Sequence, residues 1–80
     1  MGIAEAVKTR LRQLCAARGL TVNGLANLSA VTQSTVNDFM SGATRNIGII
    51  TLKKLIDGLD MTITDFFDDA LFRGLEQEIR

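Results

Sequence analysis

Residues 21–42, TVNGLANLSAVTQSTVNDFMSG, carry the pattern that most restricts how this chain can fold. Small and apolar residues recur three and four positions apart on both sides of Ser29-Ala30-Val31, which predicts two short helices joined by a tight turn. In the first of these helices, Leu25 is the large apolar residue expected to anchor the helix, and Ala26 is the small residue that the pattern requires beside it. The second helix must be buried through Val31, Val36 and Phe39. Its polar residues then form one exposed edge: Thr32, Gln33, Ser34 and Asn37.

The rest of the chain is divided by glycine and contains no proline. A first amphipathic helix is predicted by a stripe that ends before Gly19, formed by Ile3, Val7, Leu11 and Leu14. A fourth helix follows the polar loop 43–48 and is predicted by Ile49, Leu52, Leu55, Ile56 and Leu59. Threonine N-caps are expected on the second, third and fifth helices, at Thr21, Thr32 and Thr62. Because no segment alternates with a period of two over a useful length, we expect an all-α fold.

The C-terminal residues continue a helical pattern beyond the fifth helix, which contains Phe66 and Phe67. Apolar residues recur between charged ones at Leu71, Phe72, Leu75 and Ile79. We therefore expect one domain over residues 1–69 and a C-terminal helical extension over residues 70–80. The four apolar side chains either cover the domain's own core or form a two-fold helix contact, and we favour dimerisation.

The composition excludes several classes of function. Eighty residues provide one small domain, and no apolar run approaches the roughly 18–20 residues that cross a bilayer. No secretory signal is evident, so we expect a cytoplasmic protein without a membrane partner. The single Cys15 and the absence of histidine exclude ordinary zinc spacings and histidine-based triads. We expect Cys15 to be a small buried hydrophobe, and we expect no metal, no cofactor and no enzymatic activity.

The formal net charge of zero hides an uneven distribution along the chain. Residues 1–54 hold seven basic and two acidic side chains, a net charge of +5. Residues 55–80 hold two basic and seven acidic side chains, a net charge of −5. We expect a dipolar domain that presents its basic end to phosphate while the acidic end faces away.

Residues 7–67 resemble the phage-repressor and Cro type of helix-turn-helix domain, the Xre-like bacterial regulators. The matching pieces are RLRQLCAARGLT, GLANLSAVTQSTVNDFMSG and RNIGIITLKKLIDGLDMTITDFF. The resemblance implies a compact five-helix, lambda-repressor-like domain with the helix-turn-helix at helices 2 and 3. Three residues depart from the family pattern. Ala30 replaces the usual turn glycine, Val22 replaces a frequent glutamine that braces the recognition helix, and Asp38 places a carboxylate on that helix.

The resemblance also implies a site, with the third helix in the major groove of DNA. The expected base-reading residues are Thr32, Gln33, Ser34 and Asn37. Among them, Gln33 can bond adenine N6 and N7 through its amide. The expected phosphate contacts are Thr21, Thr44, Arg45, Asn46 and Lys53. For Arg10, Arg12 and Arg18, phosphate contact and a solvated helix face are equally compatible with the sequence.

The function expected from these features is that of a sequence-specific transcriptional regulator of double-stranded DNA, acting as a repressor. Because one domain covers one half-site, we expect a homodimer on a pseudo-palindromic operator with half-sites about 34 Å apart. Two alternatives remain open. The chain could be the antitoxin of a toxin–antitoxin pair, with its acidic tail binding a basic toxin. It could also be a helical interaction module that does not bind DNA, which the zero net charge, Val22, Gly24 and Asp38 favour.

Overall fold

The computed structural model describes residues 1–79, and these form five α-helices and one turn of 3-10 helix. The helices are α1 (Ile3–Ala17), α2 (Val22–Leu28), α3 (Gln33–Ser41), α4 (Ile49–Gly58) and α5 (Ile63–Phe67), and the 3-10 turn is Ala70–Phe72. Within residues 1–79 there is no strand. The predicted all-α class and the order of five helices are confirmed. Arg80 lies outside the described residues.

A single apolar cluster joins all five helices. Its largest fully buried side chains include Phe39 of α3 and Phe66 of α5, and its other members come from α1, α2, α3 and α4. Cys15 is only 3 % exposed within this cluster, and burial raises the pKa of its thiol despite the opposing charge of Arg18. The thiol is therefore held protonated, as a small buried hydrophobe, in agreement with the sequence-based expectation.

Two of the three predicted threonine caps bond as expected. The Thr21 hydroxyl accepts a hydrogen bond from the Gly24 amide at 2.9 Å, and the Thr62 hydroxyl accepts one from the Asp65 amide at 3.1 Å. Thr32 occupies the N-cap position of α3, but its hydroxyl is 2.6 Å from the Thr35 hydroxyl and bonds no amide of that helix. The predicted side-chain cap on α3 is thus wrong, because Thr35 offers Thr32 a nearer partner.

The predicted C-terminal helix is also wrong. Between α5 and residue 79 the chain forms only the 3-10 turn, and Gly74 has a left-handed φ of +74° that a continuing helix cannot contain. The Asp69 carboxylate starts the 3-10 turn by accepting a hydrogen bond from the Leu71 amide at 3.0 Å. Phe72 packs on the rings of Phe66 and Phe67, with centroids 6.0 and 4.7 Å away. These residues after α5, which we call the tail, therefore cover the domain's own core.

Arg10 fastens this tail to α1. Its guanidinium donates to the backbone oxygens of Phe66 and Asp65 at 2.8 and 3.0 Å, and it pairs with the Asp69 carboxylate at 3.1 Å. The bond to Phe66 satisfies a carbonyl at the end of a five-residue helix, while the Asp65 carbonyl also accepts from the Asp68 amide at 3.3 Å. Arg10 is thus a structural residue that joins α1 to α5 and to the 3-10 turn.

The turn between α2 and α3 sets their relative position. Ala30 has a φ of +55°, and the Val31 amide donates back to the Ala26 carbonyl at 3.0 Å. The neighbouring Ser29 is buried and packs against Gly58 of α4. The contact is so close that a Cβ at Gly58 would collide with the Ser29 hydroxyl. The left-handed conformation that the sequence suggested at Ala30 is therefore present, with its methyl group.

We expect Ala30→Gly to raise the free energy of unfolding by about 0.5–1 kcal/mol. Removing the methyl relieves left-handed strain of roughly 1–2 kcal/mol, and the added freedom of the unfolded chain offsets part of that gain. Urea denaturation would measure the difference. As a matched control, Ala16→Gly on the exposed side of α1 should lower stability by about 1 kcal/mol. A loss of stability in both variants would contradict strain at Ala30.

Candidate nucleic-acid interface

The polar edge predicted on α3 faces solvent. Thr32, Gln33, Ser34 and Asn37 are all exposed, whereas Val36 and Phe39 on the opposite side are almost completely buried. The 3.6-residue period of the helix places Gln33, Ser34 and Asn37 on the side away from Val36 and Phe39. Thr32 is exposed just before the helix, at its N-cap. The structure thus brings three of the four predicted base-reading residues together on one accessible edge, with Thr32 at the start of the helix.

Two amides of this edge are hydrogen-bonded to α2. Gln33 donates through Nε2 to Oδ1 of Asn27 at 3.2 Å, and Asn37 donates through Nδ2 to Oδ1 of Asn23 at 3.0 Å. Asn23 and Asn27 are four residues apart on α2, and Gln33 and Asn37 are four residues apart on α3. The two bonds therefore lie one helical turn from each other. We call this pair of bonds the amide ladder.

The sequence analysis missed Asn23 and Asn27. A signal was present, because the spacing of four residues between the two asparagines repeats the spacing between Gln33 and Asn37. The family's bracing position is held by Val22, which packs partly against the core. In this chain the bonds from α2 to the recognition helix come instead from residues further along α2.

The predicted phosphate contacts fall into two groups. Thr44, Arg45 and Asn46 are exposed in the loop after α3, and the Thr44 amide donates to the Asp38 carbonyl at 3.1 Å, which ties this loop to the end of α3. Thr21 is exposed at the start of α2, where its oxygen already accepts the capping bond. Lys53 lies apart from this loop on α4 and is paired with Asp57 one turn later.

Several basic residues among positions 1–54 are engaged within the protein, so fewer are available to contact phosphate than their number suggested. Lys8 is buried, pairs with Glu5 at 3.3 Å and lies 5.2 Å from the centre of the Phe39 ring. Arg10 is bonded to α5 and Asp69, which removes it from the phosphate contacts that the sequence allowed. The Arg12 guanidinium donates to the Met40 carbonyl at 3.3 Å. The expected separation into a basic and an acidic end is therefore weakened by pairs that join the two halves.

The arrangement of α2, the tight turn and α3 is that of a helix-turn-helix domain with an exposed polar edge on α3. The family model of the Cro/C1-type helix-turn-helix DNA-binding domain matches residues 10–70, and the chain belongs to this family. It is a DNA-binding domain of the class that the sequence resemblance indicated.

A solved structure supports the same assignment. The crystal structure of the prophage Lp1 protein 11 is similar to this chain with a TM-score of 0.80 and 32 % sequence identity. The similarity covers 94 % of this chain and 100 % of the prophage protein. No curated protein matches the sequence. Among residues 1–79, no helix combines the length and the apolar content that a membrane crossing requires.

We expect Arg10→Ala to lower the free energy of unfolding by about 2 kcal/mol, because it removes the donor to the Phe66 carbonyl and the ion pair with the half-buried Asp69. Chemical denaturation would measure this loss. The control is Arg12→Ala, which removes one exposed bond and should cost less than about 1 kcal/mol. Equal effects in the two variants would contradict a fastening role for Arg10.

Proposed function

We propose that this chain is a sequence-specific transcriptional regulator that binds double-stranded DNA with α3 in the major groove and acts as a repressor. The observation that carries the proposal is the exposed row of Gln33, Ser34 and Asn37 on a helix held by its opposite side. A rigid helix with amide and hydroxyl groups on one edge fits the donor and acceptor pattern of base pairs. Occupation of an operator by such a domain excludes other proteins from the same DNA.

The proposed division of labour separates base reading from positioning. Gln33 and Asn37 read bases through their amides, and Thr32 and Ser34 contact bases or the adjoining backbone. Thr44, Arg45 and Asn46 contact phosphate from the loop after α3, and Thr21 donates its hydroxyl proton to phosphate beside α2. Lys53 is the weakest phosphate candidate, because its ammonium is paired with Asp57.

Two substitutions separate these roles. Gln33→Ala should weaken binding to the preferred duplex by about 1–3 kcal/mol and relax preference at one or two base pairs. Arg45→Ala should weaken binding to every duplex alike and reduce the slope of log affinity against log salt by about one unit. Binding isotherms on preferred and scrambled duplexes at several salt concentrations would measure both effects. An equal loss of discrimination in the two variants would contradict the assigned roles.

We further propose that the DNA-bound form is a homodimer, with a contact that differs from the one expected from the sequence. Leu71, Phe72 and Leu75 are half-buried on their own domain, so they offer little surface for a partner. The most exposed apolar residues of the helices are instead Ile49 and Ile50, which are 81 % and 71 % exposed at the start of α4.

Ile49 lines one groove with the exposed Ile3 and another with the exposed Ile63, and these three residues form what we call the isoleucine surface. It adjoins a groove of about 460 Å³ between α1, α4 and α5 that is lined by Leu52 and Phe67, and also by Arg45, Asn46 and Glu78. We assign the surface to a second copy of this chain, because a two-fold pairing would cover the exposed isoleucines of both copies at once.

We expect Ile49→Asp to convert the dimer into a monomer while the fold is retained, because this side chain is exposed and an acidic residue suits the first turn of a helix. Sedimentation at micromolar concentration, with and without operator DNA, would measure the change. Leu28→Asp is the matched control, since Leu28 is an exposed leucine of α2 outside the isoleucine surface, and it should remain dimeric. A wild-type protein that is monomeric in both conditions would refute the dimer.

One observation favours a second candidate function, a helical interaction module that does not bind DNA. The recognition helix contains no lysine or arginine and carries the exposed Asp38. Failure of the folded protein to shift random genomic fragments at low salt would support this alternative. An antitoxin role is compatible with the same DNA interface and would add a basic toxin bound to the acidic tail.

A further inference from the structure

We propose that Asn27 and Asn23 are specificity-determining positioning residues, which fix the amide atoms that Gln33 and Asn37 present to DNA. The proposal rests on the function proposed above and names the residues that set its base preference. It is carried by the amide ladder, whose bonds of 3.2 and 3.0 Å join two helices on the side that faces solvent.

The direction of these bonds determines what remains for DNA. Asn27 accepts from Gln33 through Oδ1, so one of the two N–H groups of the Gln33 amide is already used. Gln33 keeps its oxygen, Oε1, and one N–H group. The same count holds for Asn37, whose Nδ2 donates to Asn23. Each recognition amide is thus left with one acceptor and one donor.

This remaining pair of groups matches adenine and does not match guanine. In the major groove adenine presents the N7 acceptor and the N6 donor, whereas guanine presents two acceptors, N7 and O6. An amide without a partner can rotate by half a turn and offer both of its N–H groups to guanine. The bond to Asn27 holds the nitrogen of Gln33 toward α2, so that rotation requires the Asn27 amide to rotate as well. Asn27 therefore favours adenine over guanine at the position that Gln33 reads.

The ladder also replaces a brace that the sequence lacks at its usual place. Val22 cannot hydrogen-bond through its side chain, so nothing at the first position of α2 can orient the recognition amides. Asn23 lies in the first turn of α2 and Asn27 one turn later, and each is bonded to a residue of α3. Because the asparagines are exposed, replacing them tests orientation without disturbing the core.

The experiment begins with selection of bound duplexes from a random pool by the wild-type chain. The base pair read by Gln33 is identified as the one at which Gln33→Ala loses preference. The wild type and its variants are then titrated with duplexes that carry adenine or guanine at that position. We expect the wild type to prefer adenine by about tenfold and Asn27→Ala to reduce this ratio to less than about threefold.

Two variants serve as matched controls. Asn27→Asp keeps an oxygen acceptor for the Gln33 amide and cannot donate, so it should retain the adenine preference while the added charge weakens binding to both duplexes. Asn23→Ala should leave the ratio at this position unchanged and relax the base preference read by Asn37. In the free protein, the side-chain amide resonances of Gln33 should move in Asn27→Ala and stay in place in Asn23→Ala.

The outcomes separate this inference from the function on which it rests. A wild-type protein without any sequence preference overturns both. A selective wild type whose ratio is unchanged in Asn27→Ala overturns the inference alone. Loss of the ratio in Asn27→Asp as well as in Asn27→Ala also overturns it, because Asn27 would then act as a donor.

Discussion

The close packing of α2 against α3 is the constraint on which the rest of the interface depends. The amide ladder joins the two helices, and the Val31 amide donates to the Ala26 carbonyl at 3.0 Å across the turn between them. This close packing is what brings Asn27 to Gln33 and Asn23 to Asn37 within hydrogen-bond distance. It also requires a turn so short that Ala30 adopts a left-handed φ of +55°, with strain on the order of 1 kcal/mol. A single packing requirement thus produces both the strained turn and the oriented amides.

Two of the basic side chains that could provide DNA affinity are engaged in contacts within the protein. Lys8 lies over Phe39 in the interior, and Arg10 holds the chain end against α1. The recognition helix has no cation of its own and carries Asp38. Since phosphate contacts supply most non-specific affinity, this distribution favours weak binding to arbitrary DNA and leaves discrimination to neutral amides. The proposed regulator therefore depends more on the geometry of Gln33 and Asn37 than on its net charge.

The sequence predicted the features that arise from local signals. Helical spacing located all five helices and the buried sides of α2 and α3, and the capping pattern located Thr21 and Thr62. It did not predict contacts between residues distant in the chain, because spacing carries no information on tertiary partners. Arg10 bonds to residues more than fifty positions away, and Asn37 bonds to a residue fourteen positions away. The predicted bond from an α3 amide to the Thr32 hydroxyl is not formed, because that hydroxyl is bonded to the Thr35 hydroxyl instead.

The chain end shows why an apolar stripe does not by itself identify an interface. Asp69 pairs with Arg10 and also accepts the Leu71 amide, so one carboxylate both directs the chain back to α1 and begins its 3-10 turn. Phe72 then fills a place beside Phe66 and Phe67 that a straight helix would have left open. Because this aromatic side chain packs on the core, it offers little surface to the proposed second copy. The chain end does not cover the exposed isoleucines at the start of α4. We therefore place the proposed dimer contact on that helix and not at the chain end.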